Sequence, residues 1–159
     1  MLSRWLSLST LVIILDQFGK VAISNHFIYG ESSRMTGFFN LVLAHNQGAA
    51  FSFLNDAGGW QRWFFSVIAL VASAWIIWLL RKHEKQQLFC FALAMILGGA
   101  LGNLIDRVIY GYVVDFLDFH WGSYHFPAFN LADSAITCGA ALLLWDSLVG
   151  ASKNKSEKT

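Results

Sequence analysis

The sequence predicts an all-α membrane protein: four transmembrane helices, both termini on the cytoplasmic side, and a small β-sheet element in the first outside loop. Three observations carry this expectation. Hydrophobic residues make up 56% of the 159-residue chain and charged residues only 13%, about half the charge of an average soluble domain. Four stretches approach or exceed the roughly 20 apolar residues that a helix needs to cross a bilayer core. Lys and Arg gather in alternate connections between those stretches, as the bias toward cytoplasmic positive charge requires. The length suits a single membrane domain over 1–159. The net charge of +1 creates no field that would capture nucleic acid.

The first span covers 6–23 and follows Arg4. Its start also has the outline of a signal peptide, with Ala22-Ile23-Ser24 as a small-residue cut, but Asp16 and Lys20 interrupt the approach to that cut. The first outside loop, 24–59, is long and patterned. Phe38-Phe39-Asn40-Leu41-Val42-Leu43 is rich in strand formers, His45-Asn46-Gln47-Gly48 offers turn chemistry, and Phe51-Ser52-Phe53 resumes an apolar rhythm. These features predict a sheet lying on the membrane surface, followed by the linker Ala57-Gly58-Gly59. The second span, 60–80, has no charge from Trp63 to Leu80. Arg81, Lys82 and Lys85 mark the loop 81–87 as cytoplasmic. The third span, 88–109, contains Gly98-Gly99 and Gly102 at spacings that let helices approach closely. A second outside loop, 110–125, leads to the fourth span, 126–149. Asp146 near its inner end reads as a solvated charge, and the polar tail 152–159 as disordered. Cys90 and Cys138 fall in apolar stretches without disulfide or CxxC spacing and read as buried small hydrophobes.

Polar residues in the spans converge on one level. Asp16 lies seven residues before the outer end of span one, ~10 Å of helix. Asp133 enters span four to a similar depth. Asn103 and Arg107 share a face of span three in its last turns, and Asn130 and Asp133 share a face of span four. Buried charge is costly in hydrocarbon, so such a layer marks a functional site near the outer surface rather than a single helix-locking pair. Lys20 is read either as reaching outward to the interface or as binding substrate.

The residue types restrict the chemistry. His26, His45, His120 and His125 show no HxxxH or HExxH spacing, so no metal is expected, and no Ser or Cys is tied to a base by spacing. No glycine-rich phosphate loop is present, and no cofactor is implied. Paired carboxylates remain, suited to amide hydrolysis by water with one group ionised and the other protonated. Asp133 is one member. Chemistry alone leaves its partner open among Asp106, Asp115 and Asp118.

Five blocks, in order, carry a family resemblance: Asp16-Gln17, His45 through Ser52, Gly102-Asn103-Leu104-Ile105-Asp106-Arg107, Val113-Val114-Asp115-Phe116, and Phe129-Asn130-Leu131-Ala132-Asp133. Together they resemble lipoprotein signal peptidase, an aspartyl peptidase family of the bacterial inner membrane. The resemblance implies that Asp115 and Asp133 are catalytic. It implies substrate-binding or dyad-supporting positions at Asn46, Asn103, Arg107, Asn130 and Asp16. It makes Asp106 a helix-end or loop-fixing charge and Asp118 a surface carboxylate. The implied substrate is a prolipoprotein with a diacylglyceryl-modified cysteine, cut just before that cysteine at the outer face of the membrane. Gly19 departs from the hydroxyl residue common in the first block. A different class of function, a proton-coupled transporter or channel subunit using the carboxylates as a relay, would need the polar layer to continue across the bilayer.

Overall fold

The computed structural model describes residues 2–48 and 58–156. Its elements are α1 (Leu2–His26), β1 (Ser32–Arg34), β2 (Phe39–Asn46), α2 (Trp60–Lys82), α3 (Gln87–Ile109), β3 (Val113–Trp121), β4 (Tyr124–His125) and α4 (Leu131–Ser156). All four helices are long and apolar enough to cross a membrane. The expected strand-forming run Phe51-Ser52-Phe53 lies outside the described residues.

Helix α3 is the centre of the bundle and packs against each of the other three. Its small residues explain why. A Cβ at Gly98 would lie 2.7 Å from Val12 Cβ and 2.8 Å from the Ser9 carbonyl, and one at Gly139 of α4 would lie 2.7 Å from the Ala92 carbonyl. Backbones therefore meet directly, and dispersion replaces the hydrophobic drive that lipid removes. Ser9 Oγ adds a 2.8 Å hydrogen bond to the Ala94 carbonyl. At the other end from the strands, Trp5, Ile76, Leu80, Cys90, Leu93 and Leu97 form the apolar core. Cys138, expected to be buried, is exposed on the surface of α4.

At the opposite end sits a four-stranded antiparallel sheet in the order β1-β2-β3-β4. Only half of it comes from the first outside loop; β3 and β4 come from 113–125, read from sequence as a plain loop. The missing signal was alternation: Val113, Val114, Asp115 and Phe116 are all buried because both faces of this stretch are covered. Val114 and Phe116 join Ile23 and Leu43 in a second apolar cluster between the sheet and α1. A register irregularity between Leu41 and Ala44 places Ala44 opposite Asp115 and Asn40 opposite Asp118.

Helix α4 starts at Leu131, five residues later than the apolar run suggested. Pro127 favours extended backbone before it. Phe129 pairs with Leu117, donating to its carbonyl at 3.1 Å and accepting from its amide at 2.8 Å, so the chain up to Asn130 extends the sheet. At its far end α4 continues to Ser156. Residues 152–156, expected to be disordered, are thus helical, and 157–159 lie outside the described residues.

Candidate active site

Asp133 occupies the first turn of α4 and Asn130 is its cap. Asn130 Oδ1 accepts the Asp133 backbone N–H at 2.8 Å, and Asp133 Oδ2 accepts the Asn130 backbone N–H at 3.4 Å. This reciprocal arrangement is a capping box that satisfies two of the free donors at the helix start. Asn130 has its side-chain amide left to use. Nδ2 donates to Asp115 Oδ1 at 2.7 Å, and lies 3.1 Å from Asn103 Oδ1 and 3.2 Å from the Val114 carbonyl. One residue thereby holds both aspartates.

Asp115 reaches this point from β3. Its other oxygen accepts Asn46 Nδ2 at 3.2 Å, from the end of β2. Burial pushes the Asp115 carboxyl up to about 7, and the negative charge of Asp133 pushes in the same direction; hydrogen bonds from Asn46 and Asn130 and the Lys20 charge oppose this. Near neutrality Asp115 is therefore divided between its protonated and ionised forms.

Behind the pair lies a buried network. Lys20 Nζ is 2.7 Å from Asp16 Oδ2, 2.9 Å from Asp106 Oδ2 and 3.0 Å from Asn103 Oδ1. Asn103 Nδ2 in turn donates to Asp133 Oδ1 at 2.7 Å. Asp16 Oδ1 accepts the Ala132 backbone N–H at 2.9 Å, and Asp106 Oδ2 accepts that of Val114 at 3.0 Å. Gln17 Nε2 ties α1 to α3 through Asp106 Oδ1 at 2.8 Å and the Gly102 carbonyl at 3.1 Å. Arg107 is also buried. Its Nη2 donates to the Gly48 carbonyl at 2.8 Å, its Nη1 lies 3.5 Å from the Asn103 carbonyl, and its guanidinium stands 5.3 Å from the centre of the Phe65 ring.

In front of Asp133 opens a largely apolar cavity of about 380 Å³. Asn46, Phe126, Phe129, Ser134, Thr137 and Cys138 contribute to its wall. An apolar groove with a few convergent polar groups has the form of a ligand site.

The sequence-derived layer is thus assembled in space: Asn46, Asn103, Asp115, Asn130 and Asp133 form one hydrogen-bonded cluster, with Arg107 beside it and Asp16 under the start of α4. Two readings need correction. Lys20 neither reaches outward nor contacts the groove, being 2% exposed with an acceptor for each of its three protons. The i,i+4 spacing of Asp16 and Lys20 within a span was the signal for this pairing. Asp118 is not a surface carboxylate: it is 6% exposed, accepts Asn40 Nδ2 at 2.8 Å and lies 2.9 Å from His125 Nδ1. Asp106 holds the start of β3, through the Val114 backbone N–H. The apolar wall from Phe126 to Phe129 has no counterpart in the sequence reading, which places those residues in the fourth span.

Four helices long and apolar enough to cross a membrane, with a buried Asp115 linked through Asn130 to a half-buried Asp133 beside a groove, have the form of a membrane aspartic peptidase. The chain belongs to the signal peptidase II family: the model of signal peptidase (SPase) II matches residues 8–149. It is 63% identical over 144 residues to the lipoprotein signal peptidase of Cupriavidus taiwanensis, covering 91% of this chain and 82% of that one. The lipoprotein signal peptidase of Ralstonia nicotianae is likewise 63% identical over 144 residues, covering 91% of this chain and 83% of its own. A solved bacterial membrane enzyme determined at 2.3 Å superposes with a TM-score of 0.83 at 31% identity, covering 99% of this chain and 92% of that one. Family membership supports an aspartic-type peptidase and gives the transporter alternative no support.

Proposed function

We propose that this chain removes the signal peptide from diacylglyceryl-modified prolipoproteins, cutting before the lipid-modified cysteine, with Asp115 and Asp133 as the acid–base pair. The observation that carries the reading is that Asn130 holds both aspartates at once, at the edge of an apolar cavity.

The chemistry balances with water as the only co-reactant. Asp133, whose oxygens receive Asn103 Nδ2 and the Asn130 amide, takes a proton from the attacking water. Asp115, whose carboxyl is pushed up to about 7, gives its proton to the scissile carbonyl oxygen. The water oxygen bonds to the carbonyl carbon and a neutral gem-diol forms. One gem-diol hydroxyl then returns a proton to Asp115 while Asp133 protonates the amide nitrogen. The C–N bond breaks, and both groups regain their starting forms. Asn46, Asn103 and Asn130 keep the two carboxylates in place, and Arg107 anchors the turn after β2 through Gly48.

The groove favours a lipid-bearing substrate. Phe126, Phe129, Thr137 and exposed Cys138 line it, so an acyl-bearing segment can enter beside α4 with its apolar surface still covered. We assign the chain to the bacterial inner membrane with the site at its outer face, because Arg81, Lys82 and Lys85 mark the opposite end of the bundle as cytoplasmic.

The test is cleavage of a purified diacylglyceryl-modified prolipoprotein. Asp115→Asn and Asp133→Asn should each abolish turnover, while Asp118→Asn should not. Turnover retained by either of the first two overturns the assignment.

A further inference from the structure

Three carboxylate-to-backbone and amide contacts meet at one ammonium group. Asp16 grips the backbone N–H of Ala132, the residue before Asp133; Asp106 grips that of Val114, the residue before Asp115. Lys20 bridges the two gripping carboxylates at 2.7 and 2.9 Å. Its third proton goes to Asn103 Oδ1 at 3.0 Å. We propose that Lys20 is a positioning residue for the aspartate pair, fixing the backbone in front of both aspartates and the orientation of the amide that faces Asp133. The inference deepens the proposed function and rests on it.

The amide argument follows from donor and acceptor inventory. An ammonium can only donate, so Asn103 must turn Oδ1 toward Lys20, leaving Nδ2 for Asp133. A flipped amide would set Oδ1 against the Asp133 carboxylate and Nδ2 against the ammonium, two repulsive contacts in place of two attractive ones. Stability alone is a weak reason for such a buried triad, since desolvation offsets much of its Coulomb gain. Registration of four elements is a better one: the triad joins α1, α3, the start of α4 and the start of β3. Gly102 leaves the necessary space, because a Cβ there would lie 2.9 Å from Asp16 Oδ2.

The charged groups around the pair are Asp16 and Lys20 on α1 and Asp106 and Arg107 on α3; β2 contributes the neutral Asn46. Among the described residues, Lys20 and Arg107 are thus the two positive charges acting on the aspartates.

The experiment is steady-state and pH-dependent cleavage of a modified prolipoprotein by the full chain, with thermal unfolding in detergent as a check of folding. Lys20→Met is combined with Asp16→Asn, which removes an ion pair while leaving an oxygen for Ala132. The folded double variant should lose kcat by about 100-fold, the cost of a misplacement near 1 Å. Its KM should change little, and its alkaline limb should move to higher pH, because a positive charge favouring ionisation is gone. Added to Asn103→Ala, the Lys20 change should cost less than the product of the separate losses, since both act on one amide; added to Asn46→Ala, the losses should multiply. Unchanged kcat and pH limb, or fully multiplicative losses with Asn103→Ala, overturn the inference. If the double variant does not fold, Lys20→Arg takes its place: it keeps the charge and the pH limb, and its larger, planar head should lower kcat. An unimpaired Lys20→Arg enzyme then overturns the inference. A wild-type chain that cleaves nothing overturns the proposed function and this inference with it, whereas an active wild type beside unimpaired Lys20 variants overturns this inference alone.

Discussion

Asn130 and Asp133 cap each other: the side-chain oxygen of the first accepts the backbone N–H of the second at 2.8 Å, and the carboxylate of the second accepts the backbone N–H of the first. The motif that starts helix α4 and the motif that presents a candidate catalytic carboxylate are therefore the same four residues. Stability and activity can be separated at Asn130 because only its Nδ2 serves Asp115.

Asn130→Ser should keep the cap and lose the contact to Asp115. Ser and Asn are comparable caps, so unfolding should shift little, whereas Asn130→Ala should cost about 1 kcal/mol. Cleavage should fall by about 100-fold in both. Thermal unfolding and single-turnover cleavage, measured on the same preparations, check the separation.

The Asp115 carboxyl, pushed up to about 7 by burial and then by Asp133, sets a pH dependence with a definite sign. The protonated form is the acid, so the rate should fall as pH rises through about 7. Stability follows the same direction. A folded pKa above the ordinary carboxylate value of 3.8 means that the favourable contribution is complete below 3.8 and is lost as pH rises through about 7. Asp115→Asn cannot ionise, so its melting temperature relative to wild type should be higher at pH 8 than at pH 5. A difference that is flat with pH would contradict this.

Asp118 and His125 form a separate pair on the sheet, 2.9 Å apart, and His125 is half exposed. An exposed partner screens such a pair, so His125→Ala should cost no more than about 1 kcal/mol. Cleavage per folded molecule should remain within about twofold of wild type.

Gly98 and Gly102 lie four residues apart on α3 with different neighbours. A Cβ at Gly98 would press on Val12 and the Ser9 carbonyl, and one at Gly102 on the Asp16 carboxylate. Gly98→Ala should destabilise by about 1–3 kcal/mol through overpacking, with activity per folded molecule retained. Gly102→Ala should lower activity as well, because Asp16 holds the backbone before Asp133. Melting temperature and specific activity of the two variants distinguish packing from positioning.

Much of this architecture was legible in the linear chain. Four helices follow from apolar length, because a backbone in hydrocarbon must satisfy its own hydrogen bonds. The shared level of Asp16, Asn103, Asn130 and Asp133 follows from helix rise. Strand β3 was not legible, because burial of both faces removes the alternation on which strand recognition depends.

The sequence by itself determined that carboxylates and amides would meet near one end of a membrane bundle, since length, apolarity and helical spacing are local properties. It left Asp106, Asp115 and Asp118 chemically equivalent as partners for Asp133. The family resemblance singled out Asp115, and the tertiary structure gives the three carboxylates different surroundings. The pairing of β3 with β2 and the bridge from Phe129 to Leu117 bring Asp115 to Asn130, while Asp106 is engaged by Lys20 and Val114, and Asp118 by Asn40 and His125. Strand register and long-range ion pairing join residues far apart in the chain, and no local pattern carries that information.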